Sequence, residues 1–277
     1  MTRVVSQHTG QPSSGSRYNR APATGFGPPR RLLAAAALAG VGAWGSTSLA
    51  APARAELDLE SGIAAASYND VAIPGNTGTR LSLTDDLSAD PGIFYRFQAS
   101  LRFGQRHALR VLYAPLTLAA SGTVDGDVHY VDTTFPAGTP LEARYQFNSY
   151  RLTYRYSVWQ EDSDELAVGF TAKIRDARVS IVGGGLAEEY ANFGFVPLLH
   201  LLGRWRFAPS WGLLLEADAL AAPQGRAEDV ALALEYHVSP LASLRLGYRM
   251  VEGGADNDKV YTFTWIHYAA AGATVRF

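Results

Sequence analysis

Apolar and polar residues alternate with a period of two along most of the chain. In residues 93–103, Tyr95 and Phe97 share one parity, while Arg96 and Arg102 share the other. Successive side chains of a β-strand point to opposite faces, so this period indicates strands with one apolar and one polar face. The pattern predicts an all-β fold.

Ten segments carry this pattern, although eight or twelve strands are also compatible with it. The predicted strands cover residues 57–68, 93–103, 107–118, 150–158, 166–175, 193–207, 211–219, 230–236, 244–251 and 259–277. Long connections (69–91, 121–140 and 178–192, and the more modest 223–229 and 253–258) alternate with short ones such as 104–106 and 160–164. Short turns on one side and long loops on the other are typical of transmembrane β-barrels.

Aromatic residues recur at the short-turn ends of these strands. They are Phe103, Trp159, Phe207, Trp211, Tyr236 and Phe277. Amphipathic rings settle at the headgroup level of a bilayer, so the six are predicted to form one interfacial girdle. Trp159 departs from the outward parity of its strand.

The final predicted strand carries Ala271, Ala273, Val275 and Phe277 on one parity. A terminal strand that ends in Phe resembles those of Gram-negative outer-membrane β-barrel proteins. Residues 247–249 and 252–256 also resemble segments of uncharacterised members. The resemblance implies recognition by the barrel-assembly machinery and contact with outer-membrane lipid and lipopolysaccharide.

A membrane location would require the barrel to close. Hydrocarbon cannot satisfy a free backbone N–H or C=O group, so an open sheet edge is prohibitively costly. The first strand is therefore predicted to pair with the last, in a closed antiparallel transmembrane β-barrel of residues 56–277.

The first 55 residues have a different character. Arg30 and Arg31 precede an uncharged run, residues 32–44, and Ala53-Arg54-Ala55 follows before the first acid, Glu56. A positive region, a short apolar region and an A-x-A site are typical of a secretory signal peptide. Residues 1–55 are predicted to be an extension and signal peptide, cleaved near Ala55 on export to the outer membrane.

The amino-acid composition excludes or disfavours several structural and functional classes. The chain has no run of 18 apolar residues, as a membrane helix would need. It contains no Cys, which removes disulfides and thiolate metal sites. Without residues 1–55 it carries 18 basic and 26 acidic side chains, a net charge of −8 that disfavours nucleic acid as a partner.

The charged residues on the polar side of each predicted strand are expected to face the inside of the barrel. They are Arg96, Arg102, Arg110, Arg151, Arg155, Lys173, Arg175, Arg204, Arg206, Glu216, Asp218, Glu235, Arg245 and Arg249. One interpretation is an anion-preferring pore or a site for anionic lipid. The other is a lumen filled by ion-paired side chains, which the small size of a ten-strand barrel favours. Bases outnumber acids in this set, so some Arg would need carbonyl groups, water or an anion.

Two short motifs suggest enzymes. His237 and Ser239 resemble the His-x-Ser of lipid A 3-O-deacylases, with Glu252 as a third member, but the predicted topology puts Glu252 at the other end of its strand. Asp125, Asp127 and His129 resemble the Asp and His pairs of the omptin proteases, although here all three share one loop.

The remaining histidines within strands, His200 and His267, have no partner at ligand spacing along the chain, and we interpret them as structural. Neither a metal nor a cofactor is predicted. The sequence therefore predicts a non-catalytic structural or surface protein of the outer membrane, or a narrow channel. The alternative is an outer-leaflet enzyme acting on lipid A or peptide substrates.

Overall fold

Strands account for most of the residues that the computed structural model describes, 54–223 and 225–277. The strands are β1 (Arg54–Ala72), β2 (Leu81–Ser82), β3 (Ser88–Ala89), β4 (Gly92–Phe103), β5 (His107–Ala114), β6 (Thr117–Thr123), β7 (Val128–Tyr130), β8 (Thr133–Phe135), β9 (Pro140–Glu161), β10 (Asp164–Gly183), β11 (Leu186–Ala208), β12 (Trp211–Ala222), β13 (Gly225–Ser239), β14 (Ala242–Asn257) and β15 (Val260–Arg276). These residues include no helix long and apolar enough to cross a membrane.

The predicted signal peptide lies outside the described residues, except for Arg54 and Ala55. Both are part of β1, where they pair with Arg102 and Leu101 of β4.

Ten strands pair side by side in an antiparallel ring. The order is β1, β4, β5, β9, β10, β11, β12, β13, β14 and β15, and β15 pairs back onto β1. The prediction of ten strands is confirmed. The pairing of the first strand with the last is also confirmed, with Leu57 opposite Val275 and Leu59 opposite Ala273.

The two ends of the ring differ. At the turn end, connections are as short as Asp162–Ser163, between β9 and β10. At the opposite end, which we call the loop end, residues 73–91 and 124–139 form a cap. Its apolar side chains, including Leu81, Tyr130 and Phe135, are buried in one cluster with inward-facing residues of β9 and β10.

Bulges adjust the faces of the strands. At Val158, β9 has one residue more than β10, because Trp159 pairs with Leu166 while Ser157 pairs with Ala167. Two residues then oppose one, so the alternation shifts by one position. Val158 and Trp159 are both exposed on the outside, which explains why Trp159 does not follow the parity of its strand.

Several predicted loops are wrong because the strands continue through them. Residues 178–192 form the upper part of the β10–β11 hairpin, which turns at Gly184 and Gly185. Residues 225–229 belong to β13, and residues 253–257 belong to β14. Cross-strand pairing overrides the glycines and polar residues that suggested loops.

The third ring strand is interrupted at Pro115, a residue that lacks the N–H a ladder needs. β5 ends at Ala114, and β6 continues along β9, with Thr117 opposite Gln146. Part of the predicted loop 121–140 is therefore the end of β6 and the β7–β8 hairpin of the cap.

Candidate functional site

Charged side chains fill the inside of the ring toward its turn end. Asp229 is central: its carboxylate lies 2.5 Å from Arg249, 2.6 Å from Arg151 and 3.3 Å from Arg96. All four side chains are at most 4% exposed. A buried carboxylate needs such partners to offset the loss of its hydration.

A second group surrounds Asp218. Its carboxylate accepts hydrogen bonds from Arg151 at 2.8 Å and from Thr171 at 2.7 Å, and it lies 2.8 Å from Nδ1 of His200. Glu216, two residues earlier on the same face, pairs with Arg110.

A third group joins the first strand to the last pair of strands. Glu60 lies 2.9 Å from Arg249 and 3.3 Å from Arg245, and Asp58 pairs with Arg245 as well. Nearer the turn end, Arg102 lies 2.8 Å from Glu165 and Arg204 lies 3.0 Å from Glu235. We call all these residues the charge network.

The predicted inward residues that lie apart from these pairs are Arg155, Lys173, Arg175 and Arg206. Arg155 is buried, and its Nε has no hydrogen-bond partner among the described residues. Arg206 is partly buried near the turn end, with its Nε likewise unpartnered. Arg175 is partly buried toward the loop end.

Four carboxylates of the charge network are missing from the predicted set: Asp58, Glu60, Glu165 and Asp229. They supply many of the arginine partners for which the sequence suggested carbonyl groups, water or an anion. The parity of β1, where Leu57 and Leu59 are exposed, could have identified Asp58 and Glu60. Glu165 falls between the predicted turn 160–164 and the strand that begins at 166, and Asp229 was assigned to the predicted loop 223–229.

The outer face of the ring is apolar. Forty large apolar side chains are exposed on the described residues, far more than the scattered few of a soluble surface. Along β10, residues 166–174 carry apolar outward side chains, and Asp176 and Arg178 then follow on the same face. That apolar stretch of about nine residues matches the length of a tilted membrane-spanning strand.

All six aromatics of the predicted girdle are exposed. They are Phe103, Trp159, Phe207, Trp211, Tyr236 and Phe277. Some also contact each other, since the rings of Trp211 and Tyr236 have centroids 4.8 Å apart.

A cavity of about 620 Å³ lies inside the ring between the charge network and the loop end. Its wall is mostly apolar and includes Ile73, Phe147, Val196, Val251 and Ile266. Its volume falls in the range of roughly 300–1,000 Å³ typical of small-molecule sites.

Five basic side chains line this cavity. Arg178, Arg226 and Lys259 are exposed, and Arg226 pairs with Glu252, the carboxylate in the lining, whereas Lys173 and Arg175 of β10 face the inside. Lys173 is 3% exposed, and its ammonium lies 4.8 Å from the centroid of the Phe147 ring. Arg175 donates to Asn192, while its Nε is buried without a partner among the described residues. The ion pairs of the described residues include neither side chain.

The wall of the cavity is incomplete between β11 and β12. Their described pairing ends at Leu199 opposite Ala219, although β11 continues to Leu186 and β12 to Ala222. The cavity lining includes Phe195 and Pro197 of β11, both exposed outside, and Leu220 of β12. The cavity therefore reaches the outer face through this gap.

The residues suggested for a deacylase triad lie apart. His237 pairs with Ser243 near the turn end, and Glu252 lies nine positions further along β14, about 30 Å at the rise of a strand. Glu252 instead binds Tyr68 and Arg226.

The residues suggested for a protease lie on the cap. Asp127 accepts a hydrogen bond from the backbone N–H of Ala137 at 2.8 Å, and the His129 ring lies 3.2 Å from the Thr134 hydroxyl. These contacts hold the β7–β8 hairpin.

His200 has partners that spacing along the chain did not show. It lies beside Glu216 and Asp218, with one potential ligand atom from each within 4.8 Å of the others. Arg110 and Arg151 already bind the two carboxylates. His200 lies directly opposite Asp218 in the pairing of β11 with β12. Aligning the two predicted strands as a hairpin could have identified this contact from the sequence.

The cap also holds Tyr130, a tyrosine with a raised pKa. Burial, together with the nearby carboxylate of Glu188, raises the pKa of Tyr130. Its hydroxyl donates to the carbonyl oxygen of Val179 at 3.0 Å, which ties the cap to β10.

The ring geometry is also found in a known membrane protein. The crystal structure of the outer membrane protease OmpT from Escherichia coli matches with a TM-score of 0.52 at 11% identity, covering 81% of this chain and 97% of that one. The chain has the fold of an outer-membrane β-barrel protein. At this identity the likeness shows the fold alone. Ail, the attachment invasion locus protein of Yersinia pestis, matches with a TM-score of 0.37 at 11% identity over 80% of this chain and 99% of Ail.

Sequence comparisons give no family. No protein-family model matches the chain. The O-methyltransferases mpaG' and mpaG of Penicillium brevicompactum are each 38% identical over 94 residues, which cover 28% of this chain. The match spans about a quarter (23%) of the length of those relatives, too little to assign an activity.

Proposed function

We propose that this chain is a closed transmembrane β-barrel of the Gram-negative outer membrane, with a non-catalytic structural or surface role. The observation that carries the proposal is the outer apolar face, which is bounded by aromatics at the turn end and by Asp176 and Arg178 on β10. Such a band would be unfavourable in water and matches the hydrocarbon thickness.

The charge network favours a closed lumen over a narrow channel. Asp229 and its arginines bridge strands on opposite sides of the ring, and they are almost fully buried. An open aqueous path would leave these groups hydrated. In this proposal the cap and the β10–β11 hairpin face the outside of the cell.

The route to the membrane is part of the same proposal. Residues 1–55 would direct export and be removed near Ala55, and β15 would be read by the barrel-assembly machinery. Lipid and lipopolysaccharide would then contact the outer face.

The test compares two arginine substitutions on the same face of β10. Phe170→Arg places a charge in the middle of the apolar band, at a position 68% exposed. Val182→Arg places it beyond Asp176 and Arg178, at a position 47% exposed. A charge at the bilayer midplane costs about 2–4 kcal/mol and little near the interface.

Heat-modifiability of outer-membrane extracts on gels measures the outcome. The natural chain and Val182→Arg should migrate anomalously until boiled, while Phe170→Arg should lose most of the folded band. A natural chain found in the soluble periplasmic fraction, or equal behaviour of both variants, would refute the proposal.

A further inference from the structure

The cavity at the loop end combines mostly apolar walls with two inward-facing basic groups, Lys173 and Arg175, that form no ion pair among the described residues. A buried ammonium is costly unless an anion or hydrogen-bond acceptors compensate it. Lys173 lies directly opposite Arg151, and the carboxylates of Asp218 and Asp229 bind that arginine. Lys173 therefore has no carboxylate partner of its own among the described residues, and its amino group can bind a ligand in the cavity.

Arg175, two residues further along the same face, adds a second positive charge. Among the described residues, its guanidinium donates a side-chain hydrogen bond only to an amide oxygen, that of Asn192. Guanidinium groups bind carboxylates through paired N–H donors, and the unpartnered Nε is a donor of this kind. The two side chains make a basic region suited to one small anionic group.

Most of the rest of the wall is apolar and suits a hydrocarbon. Val196, Val251 and Ile266 line the cavity, together with Phe147, and none of these side chains is polar. A ligand that satisfies both parts has an apolar body and an anionic end.

The gap between β11 and β12 provides the entrance. It lies above Leu199 and Ala219, beside the outer apolar side chains Phe193 and Phe195, which are 73% and 68% exposed. Pro197 has no backbone N–H, so this residue leaves no unpaired donor at the edge of β11. The gap connects the cavity to the surface that the proposed function places in lipid.

We propose that the cavity binds a single-chain amphiphile with one carboxylate, which enters from the outer leaflet through the β11–β12 gap and places its carboxylate at Lys173 and Arg175. This inference rests on the membrane location proposed above. Each preparation is therefore first shown to be heat-modifiable, so that a failure to bind contradicts only the cavity assignment.

The binding test uses cis-parinaric acid, a fluorescent fatty acid, and its methyl ester. The full protein is reconstituted in lipid nanodiscs, and empty nanodiscs give the partition background. We expect saturable binding of the acid, and Lys173→Met should weaken it by about tenfold because a charge-assisted contact is lost. Binding of the uncharged methyl ester should be almost unaffected by Lys173→Met.

Matched variants separate charge from general disturbance. Lys173→Arg keeps the charge and should retain binding. Arg106→Met removes an exposed basic group at a turn and should leave affinity unchanged. If Lys173→Met does not fold, Arg175→Met answers the same question, with a several-fold loss expected. Equal binding of acid and ester, or equal effects of Arg106→Met and the cavity variant, would overturn the assignment.

Ala222→Trp tests the entrance. Ala222 lies at the end of β12, lines the cavity and is exposed. An indole there should slow uptake of the probe from the bilayer while leaving its equilibrium affinity unchanged. An unaltered uptake rate would overturn entry through the gap.

Discussion

At the level of single residues, Asp229 shows how the inner face achieves stability. One carboxylate lies within 3.3 Å of three arginines that come from β4, β9 and β14. Arginines from three strands thus depend on one side chain. Burying these charges costs desolvation free energy, which offsets the gain from each ion pair. The largest effect on the free energy of unfolding is therefore expected when one partner is removed.

Asp229→Asn should therefore destabilise the protein strongly. It keeps the shape of the side chain but leaves three buried arginines with one fewer carboxylate, a change that typically costs about 3–5 kcal/mol. Urea unfolding in liposomes, followed by tryptophan fluorescence, measures the loss.

The control is Glu189→Gln. Its pair with Arg178 is 3.2 Å long and about half exposed, so the free energy of unfolding should change by less than about 1 kcal/mol. Similar values for the two variants would contradict the role given to Asp229.

Much of the charge network could be predicted from parity, residue by residue. Arg96, Arg151 and Arg249 alternate with apolar neighbours, so they face the polar side of any strand built on that pattern. Asp229 was not predicted because Pro223 and Gly225 suggested a loop that extended through it. The partners of each arginine depend on register between strands, which no single strand specifies.

At the level of elements, strand length was the less predictable property. The upper part of β10–β11 contains three glycines and several charged residues, yet it pairs without interruption from Glu165 opposite Arg204 to Gly183 opposite Leu186. Local composition resembled a loop, but backbone hydrogen bonds to a neighbour stabilise the extended form. Where strands start near short turns, the alternation located them well.

The pairing of β1 with β15 can be tested by cross-linking. The chain contains no cysteine, so Leu59→Cys with Ala273→Cys gives one defined pair at opposed positions. Oxidation should form a disulfide in the folded protein, and the boiled, unreduced chain should migrate differently on a gel.

Leu59→Cys with Ala269→Cys is the matched control. Ala269 lies on the same face of β15 but four residues away, about 13 Å along the strand. It should not cross-link to residue 59. Efficient cross-linking of the control, or none of the opposed pair, would show that the register is wrong.

At the level of the whole molecule, the interior has two parts. The turn end holds the charge network, and the loop end holds an apolar cluster and the cavity. The ring itself could be predicted from alternation, turn lengths and the girdle. The cavity and the β11–β12 gap could not, because they arise from a difference in length between neighbouring hairpins.

This arrangement predicts little ion conduction. In planar bilayers the natural protein should give no discrete current steps, since side chains occupy the interior of small barrels. Arg155→Ala removes a large buried side chain outside the ion pairs of the described residues and should allow small steps.

Arg144→Ala changes an exposed position on the neighbouring part of β9. It should give no discrete current steps, as expected for the natural protein. Regular anion-selective steps from the natural protein would instead support the narrow channel.

The seam between β1 and β15 has a consequence for the kinetics of folding. It joins Glu56 to Arg276, which are 220 positions apart, whereas the hairpins of the ring form between close neighbours. Closing so long a loop is entropically costly and slow, so hairpins should form first and the seam last. In the proposed membrane location, both edge strands carry free backbone groups until then, and lipid cannot satisfy them. Insertion and seam closure should therefore occur as one coupled event.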